Sequence, residues 1–361
     1  MLTRALSRRE LLQAGAGVVT LSAAARRALA QAPAPLPSPA IPLDTRALVS
    51  LIHGEDRRTM AYRALKEIDA RIAPELKKKK YVLIKPNNVS SENQLASTHA
   101  DTLRGILDYL SERCKGPLYI AEAAADDTMT GFENFHYTRL AGEYKSLQVK
   151  LLDLNAEAKY QILPVLDFDL HLTPVRLAAR LLDPDAFILC SAILKTHNTV
   201  VATLSVKNMT LGAPLHFAPG ETSRWNDKRK YHGGVRQTHY DMLLTAQKLQ
   251  PFWGATLIDG YEGMEGNGPG AGTPVPSRIA IASTDYIAAD RVSLEAMGID
   301  ARWPGYLLYC WQAGLGQYDL NRIDISGENL ATVRRKYQLH NDMDRELEWM
   351  GPMRDLPPKL G

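Results

Sequence analysis

The sequence predicts an α/β fold: a mostly parallel sheet covered by helices on both faces, with a long loop inserted near one rim. Three observations carry this. Near-continuous apolar runs of strand length, such as "YVLI" at 81–84 and "AFILCSAIL" at 186–194, lack the polar alternation of a half-wet antiparallel sheet. Segments with apolar residues at helical spacing separate those runs. The stretch 212–239, rich in glycine, proline and charge, has no periodicity, and so long an aperiodic stretch in a compact domain is more often functional than idle.

The elements follow in order. Met60, Ala64, Leu65 and Ile68 recur at helical spacing and predict a helix over 57–72. A strand over 81–87, a helix over 101–114, a strand over 118–123, a helical stretch near 133–144 and a strand over 149–154 come next. A helix is expected over 174–182, then strands over 186–194 and 201–209. Beyond the aperiodic stretch come a helix over 240–249, strands over 254–263 and 277–283, a helix over 286–297, and a last helix and strand within 306–325. No internal repeat is visible.

Residues 1–30 read as a signal of the twin-arginine type. Arg8 and Arg9 are paired, a weakly apolar stretch runs from Ala14 to Ala25, and Ala28-Leu29-Ala30 offers a small-residue cleavage site. Arg26 and Arg27 interrupt the apolar run well short of the roughly 20 residues that span a bilayer, so no stable membrane anchor is expected after cleavage. The expected partner here is the twin-arginine export machinery, and the expected location is periplasmic or extracytoplasmic. Residues 31–44 hold the proline-rich "QAPAPLPSPAIPL" and read as a linker, which leaves 45–361 as a single α/β domain.

Composition narrows the function. Formal charge is +3, but removing the five arginines and Glu10 of the first thirty residues from 43 basic and 40 acidic groups leaves 38 and 39. No basic stripe remains, and nucleic acid is not an expected partner. Cys114, Cys190 and Cys310 show no C-x-x-C spacing, which argues against an iron–sulfur cluster; a Cys114–Cys310 bridge stays open.

In a parallel sheet the ligand crevice lies beyond the carboxyl ends of the strands. Lys85, Asn87 and Asn88 follow one predicted strand, Lys195 and His197 another, Lys207 and Asn208 close a third, and Asp259 and Glu262 leave a fourth. Several lysines beside amides and a histidine form a sensible group when an anion sits among them, because cations buried together otherwise lose protons. The competing reading is that Lys85 and Lys207 merely end strands and pair with acids elsewhere. On the glycine-rich "DGYEGMEGNGPGAGTP", Asp259 and Glu265 could hold a divalent metal, Glu262 could act as acid or base, and Asn267 could contact substrate; a turn whose acids neutralise nearby lysines fits equally well. His232, with His216, His239 and Trp225, lies on or beside the long loop; these residues could close over the site, or the histidines could bind a transition metal. Asp285 reads as a helix N-cap. Asp290 could reach a cavity lysine.

The blocks "IKPNN" at 84–88, "KTH" at 195–197, "LSVKNMTLG" at 204–212, "YHGG" at 231–234, "DGYEGMEGNGPGAGTP" at 259–274 and "ASTDYIAAD" at 282–290 resemble those of the domain-of-unknown-function 362 family. That resemblance implies an α/β domain and says little about reaction. Many members carry a ferredoxin-like module with cysteine clusters, which this chain lacks.

Together these readings lead to a periplasmic enzyme, of oxidoreductase or isomerase type, acting on a small carboxylate or phosphate by acid/base or hydride chemistry with or without a divalent metal. Lys195, His197 and Glu262 would be catalytic; Lys85, Asn87, Asn88, Lys207, Asn208, His232 and Asn267 would bind substrate. The alternative is a non-catalytic anion- or metal-binding accessory protein.

Overall fold

The computed structural model describes residues 45–215 and 227–352; the signal and linker readings, together with His216 and Trp225, fall outside them. A strand absent from the sequence reading opens the domain, β1 (Ala47–His53). Next come α1 (Arg57–Glu67), α2 (Asp69–Leu76), β2 (Tyr81–Lys85), α3 (Ala100–Ser111), β3 (Leu118–Glu122), α4 (Thr128–Asn134) and β4 (Val149–Asp153). A hairpin, β5 (Tyr160–Leu166) with β6 (Leu172–Ala178), precedes the buried β7 (Ala186–His197) and the short β8 (Val201–Thr203). The remainder is α5 (Ser205–Thr210), α6 (Val235–Leu249), β9 (Trp253–Glu265), β10 (Thr273–Val275), β11 (Ile279–Ser283), α7 (Tyr286–Met297), α8 (Gly305–Gln312) and β12 (Ile323–Gly327), with isolated helical turns left unnumbered.

The main sheet runs β12-β1-β11-β9-β7-β2-β3-β4, with β10 beside β9 and β8 beside β7. From β4 to β9 all neighbours are parallel, so β2, β3, β7 and β9 end at one rim. β11 is antiparallel to both β9 and β1. One face carries α1, α2 and α3, whose Met60, Leu65, Ile72, Leu103 and Leu107 pack with Val82, Ile84, Ile120, Leu189 and Leu257 in a single core. α5 and α7 lie against β7, β9 and β11 on the other, with α6 and α8 packed around them. Both faces are thus covered, as apolar parallel strands require.

Four expectations need correction. The expected helix over 57–72 is two helices, broken at Ile68, whose backbone (φ −107°, ψ 17°) leaves the helical region; Asp69, at the start of the second, accepts hydrogen bonds from Arg113 Nε at 2.6 Å and Tyr109 Oη at 2.7 Å. The expected helix over 174–182 is β6 followed by one 3-10 turn; "LTPVRLA" alternates with buried Val175 and Leu177, a period of two that Pro174 and a short window obscured. The expected strand over 201–209 stops at Thr203 and becomes α5, since Asp290 of α7 takes the amides of Ser205 at 2.8 Å and Val206 at 2.9 Å. Asp290 therefore caps a helix and does not reach a lysine. Of the described residues within 212–239, Pro214 bridges to Leu177 and α6 starts five residues earlier than expected.

Among the described residues all three cysteines are free; Cys114 lies just past α3 and Cys310 on α8, so the 114–310 bridge is not formed. No described helix is long and apolar enough to cross a membrane.

Candidate functional site

Three parallel strands deliver the centre of the site. Lys85 is the last residue of β2, Glu122 the last of β3, and Lys195 and His197 close β7. After His197 the chain doubles back: β8 pairs antiparallel with the end of β7, Lys195 opposite Thr203, and α5 then returns Lys207 and Asn208 over the end of β2. Asn208 fixes that return by donating Nδ2 to the Ser191 carbonyl at 3.3 Å.

Lys85 is fully buried and fully engaged. Its Nζ lies 2.8 Å from Glu122 Oε1 and donates to Asn208 Oδ1 and the Pro86 carbonyl, both at 3.0 Å. Glu122 also accepts from the backbone amides of Asn88 at 3.1 Å and Ala123 at 3.0 Å. Asn87 Nδ2 donates to the same Asn208 oxygen at 3.0 Å. The chain past α5 must come so close that a Cβ on Gly212 would stand 2.4 Å from Lys85 Nζ and 2.2 Å from the Asn208 carbonyl oxygen.

The other lysines differ in how much they are satisfied. Lys195 Nζ donates to the carbonyls of Ala96 at 2.7 Å and Pro269 at 3.3 Å, and burial, helped by the charge of Lys207, holds its pKa well below the ordinary lysine value. Lys228, outside any sequence expectation, donates to the carbonyls of Leu211, Gly212 and Pro214, and burial lowers its pKa to about 7 against the pull of Glu122. Lys207 is 8% exposed, and nothing among the described residues hydrogen-bonds or ion-pairs with its Nζ. Burial, reinforced by the charge of Lys85 and opposed by Glu122, lowers it to about 8. Glu122 is the one carboxylate that all four lysines feel, and its charge is already matched by Lys85.

His197 is 3% exposed and accepts the Thr199 amide on Nδ1 at 3.1 Å, which places the proton of its neutral form on Nε2. Burial first, then Lys207, keeps it neutral by pushing its pKa well down. His232 is exposed, with Nδ1 2.9 Å from the Lys228 carbonyl. His239 is instead a packed core residue: Tyr306 stacks on it and donates its amide to Nδ1, and burial lowers its pKa to about 3.

The glycine-rich strand goes elsewhere. Asp259 is bound by Thr102 and the Tyr261 amide and lies 3.3 Å from Arg57 Nε. With the exposed Glu262, with Arg57 and His99, it lines a cavity of about 30 Å³, room for about a single water. Glu265 accepts the Gln338 amide at 2.7 Å. Asp259 and Glu265, read as metal ligands, are thus not brought together, and Glu262 is not brought to the lysines. Among the described residues no group of three or more His, Cys, Asp or Glu could hold a metal ion. Asn267 lines a second, open groove of about 460 Å³ with Asn198, the residue that follows His197, the 268–271 loop, His340 and Asp342. That volume is of small-ligand size.

Two members of the cluster escaped the sequence reading. Glu122 stands at a strand end and obeys the rule that picked out Lys85 and Lys195. Lys228 carried no local signal, since only the fold-back at Pro214 brings it in.

Comparison with known proteins gives a family and little more. A family model described as a domain of unknown function, DUF362, matches residues 82–295. No curated protein matches the chain. Among solved structures it is similar to the crystal structure of a Thermotoga maritima protein determined by the Northeast Structural Genomics Consortium, at 10% identity and a TM-score of 0.37, over 57% of this chain and 51% of that one. The chain spans about half the length of that relative, and so loose a likeness carries no argument.

Proposed function

The chain belongs to the DUF362 family, and from the buried lysines that the matched segment encloses we propose that it is an enzyme acting on a small carboxylate or phosphate, by acid/base chemistry at the carbon beside the anionic group. The observation that carries this reading is Lys207: a nearly buried ammonium with no partner among the described residues, beside the paired Lys85. A bound anion would supply the missing counter-charge. Lys195, whose pKa burial holds well below the ordinary lysine value, and His197 are the groups suited to take or give a proton. The groove at Asn198 and Asn267 is lined by Pro269, whose carbonyl accepts from Lys195 Nζ at 3.3 Å. Lys85, Asn87 and Asn208 hold Lys207's helix in register and are positioning residues in this scheme. The export signal read from residues 1–30 would place the reaction outside the cytoplasmic membrane.

The test begins with native purification and mass spectrometry of any retained anion. That compound, incubated with enzyme in D₂O, should gain deuterium at the carbon beside its anionic group, and His197→Gln should stop the exchange while leaving the fold intact. Lys207→Gln should release the anion. Retention with no exchange in the wild type would overturn catalysis and leave the other reading, an anion-binding accessory protein.

A further inference from the structure

We propose that the outward face of the β5–β6 hairpin is a two-fold interface with a second copy of this chain. Tyr160, Ile162, Phe168, Leu170 and Leu172 are 45%, 63%, 68%, 37% and 73% exposed, and they are five of the seven large exposed hydrophobic residues among those described. An apolar surface gathered on one element marks a contact site. The hairpin is not a loose flap. Its inner Val165, Val175 and Leu177 are buried, and α6 grips it where Asp241 accepts the Leu166 amide at 2.8 Å and Gln237 donates to the Leu166 carbonyl at 2.7 Å.

The chemistry of the hairpin selects the partner. Pro164 and Pro174 stand directly opposite each other, and prolines donate nothing to a ladder, so the contact is made by the face and not by edge pairing. Charge runs along its length, with Asp167 and Asp169 at the tip and Lys159, its side chain 71% exposed, at the base. Acids at the tip repel an anionic lipid surface. A second hairpin laid face to face and antiparallel, with the two-fold axis over Pro164 and Pro174, turns the base of each hairpin, with Lys159, toward the acidic tip of the other, with Asp167 and Asp169. The same patch then complements itself, as a two-fold interface demands. A parallel arrangement would place acid on acid.

Sedimentation velocity of the purified chain across the micromolar range should show a dimer. Ile162→Asp with Leu172→Asp should leave only monomer with an unchanged far-ultraviolet circular dichroism spectrum. Because those changes could disturb folding, the exposed charges give a second arm: Lys159→Glu should weaken the dimer at least tenfold, and Lys159→Glu combined with Asp169→Lys should restore it. A wild type that stays monomeric, a dimer indifferent to Ile162→Asp/Leu172→Asp, or a charge swap without rescue overturns the proposal. So does hairpin-dependent binding to phosphatidylcholine–phosphatidylglycerol vesicles by a chain that remains monomeric.

Discussion

Lys85 Nζ lies 2.8 Å from Glu122 Oε1, and neither side chain reaches solvent. The pair joins two strand ends, and two backbone amides lean on the same carboxylate. Removing one partner leaves a buried charge without compensation, which costs about 3–5 kcal/mol. Glu122→Gln should therefore lower unfolding free energy in urea by that order. A loss well below 1 kcal/mol would show that water reaches the pair.

Lys207 should have the opposite sign. Its pKa falls from 10.5 to about 8 on folding, so between those values the unfolded chain binds more protons and stability rises with pH; below about 8 the full penalty of burying the charge is present. A shift of that size corresponds to about 3 kcal/mol. Lys207→Met should stabilise the anion-free protein at pH 7 by about that much while abolishing anion binding, and the gain should vanish as pH passes 10.5. An equal or lower stability for the variant at pH 7 would mean that Lys207 is already neutralised.

Gly212 tests how tightly the cluster is built. Ala at this position would press its Cβ onto Lys85 Nζ and the Asn208 carbonyl, and the latter is backbone with nowhere to move. We expect Gly212→Ala to cost about 1–3 kcal/mol, as overpacking of a filled interior does, and to weaken anion binding in parallel. Calorimetry with phosphate as probe, beside thermal melts, separates the two effects; a variant with wild-type melting and wild-type titration would refute the packing argument.

Much of this architecture could be read from the sequence, for definite reasons. Long apolar runs such as 186–194 predicted central strands because parallel strands are buried on both faces, and strand ends predicted where Lys85 and Lys195 gather. The rule went astray at β9, which runs six residues past Asp259 and pairs with β10, so its acids turn toward Arg57 and Gln338 and away from the lysines. "VATLSVKNM" was illegible for another reason. Val and Thr favour a strand, and the group that starts the helix at Ser205 is Asp290, eighty-five residues distant. Propensity has no access to a cap supplied by another helix.

That cap yields the last prediction. Asp290 is fully buried and accepts from the Ser205 amide and hydroxyl and from the Val206 amide, so it begins the helix that carries Lys207 and Asn208. Asp290→Ala would orphan two buried amides and should cost about 2–4 kcal/mol, at about 1–3 kcal/mol for each group partly relieved by water. Burial raises the Asp290 pKa from 3.8 to about 7. Over that interval the folded state holds the proton more tightly, and its contribution to stability is fully present below pH 3.8 and lost as pH rises through 7. Asp290→Asn keeps one acceptor and cannot ionise. Denaturation at a series of pH values should show the variant's deficit shrinking between pH 4 and 7, and its phosphate affinity falling only slightly, whereas Asp290→Ala should lose stability at every pH and bind phosphate at least tenfold more weakly. If Asp290→Ala bound phosphate as tightly as the wild type, α5 would not be what holds Lys207 in place.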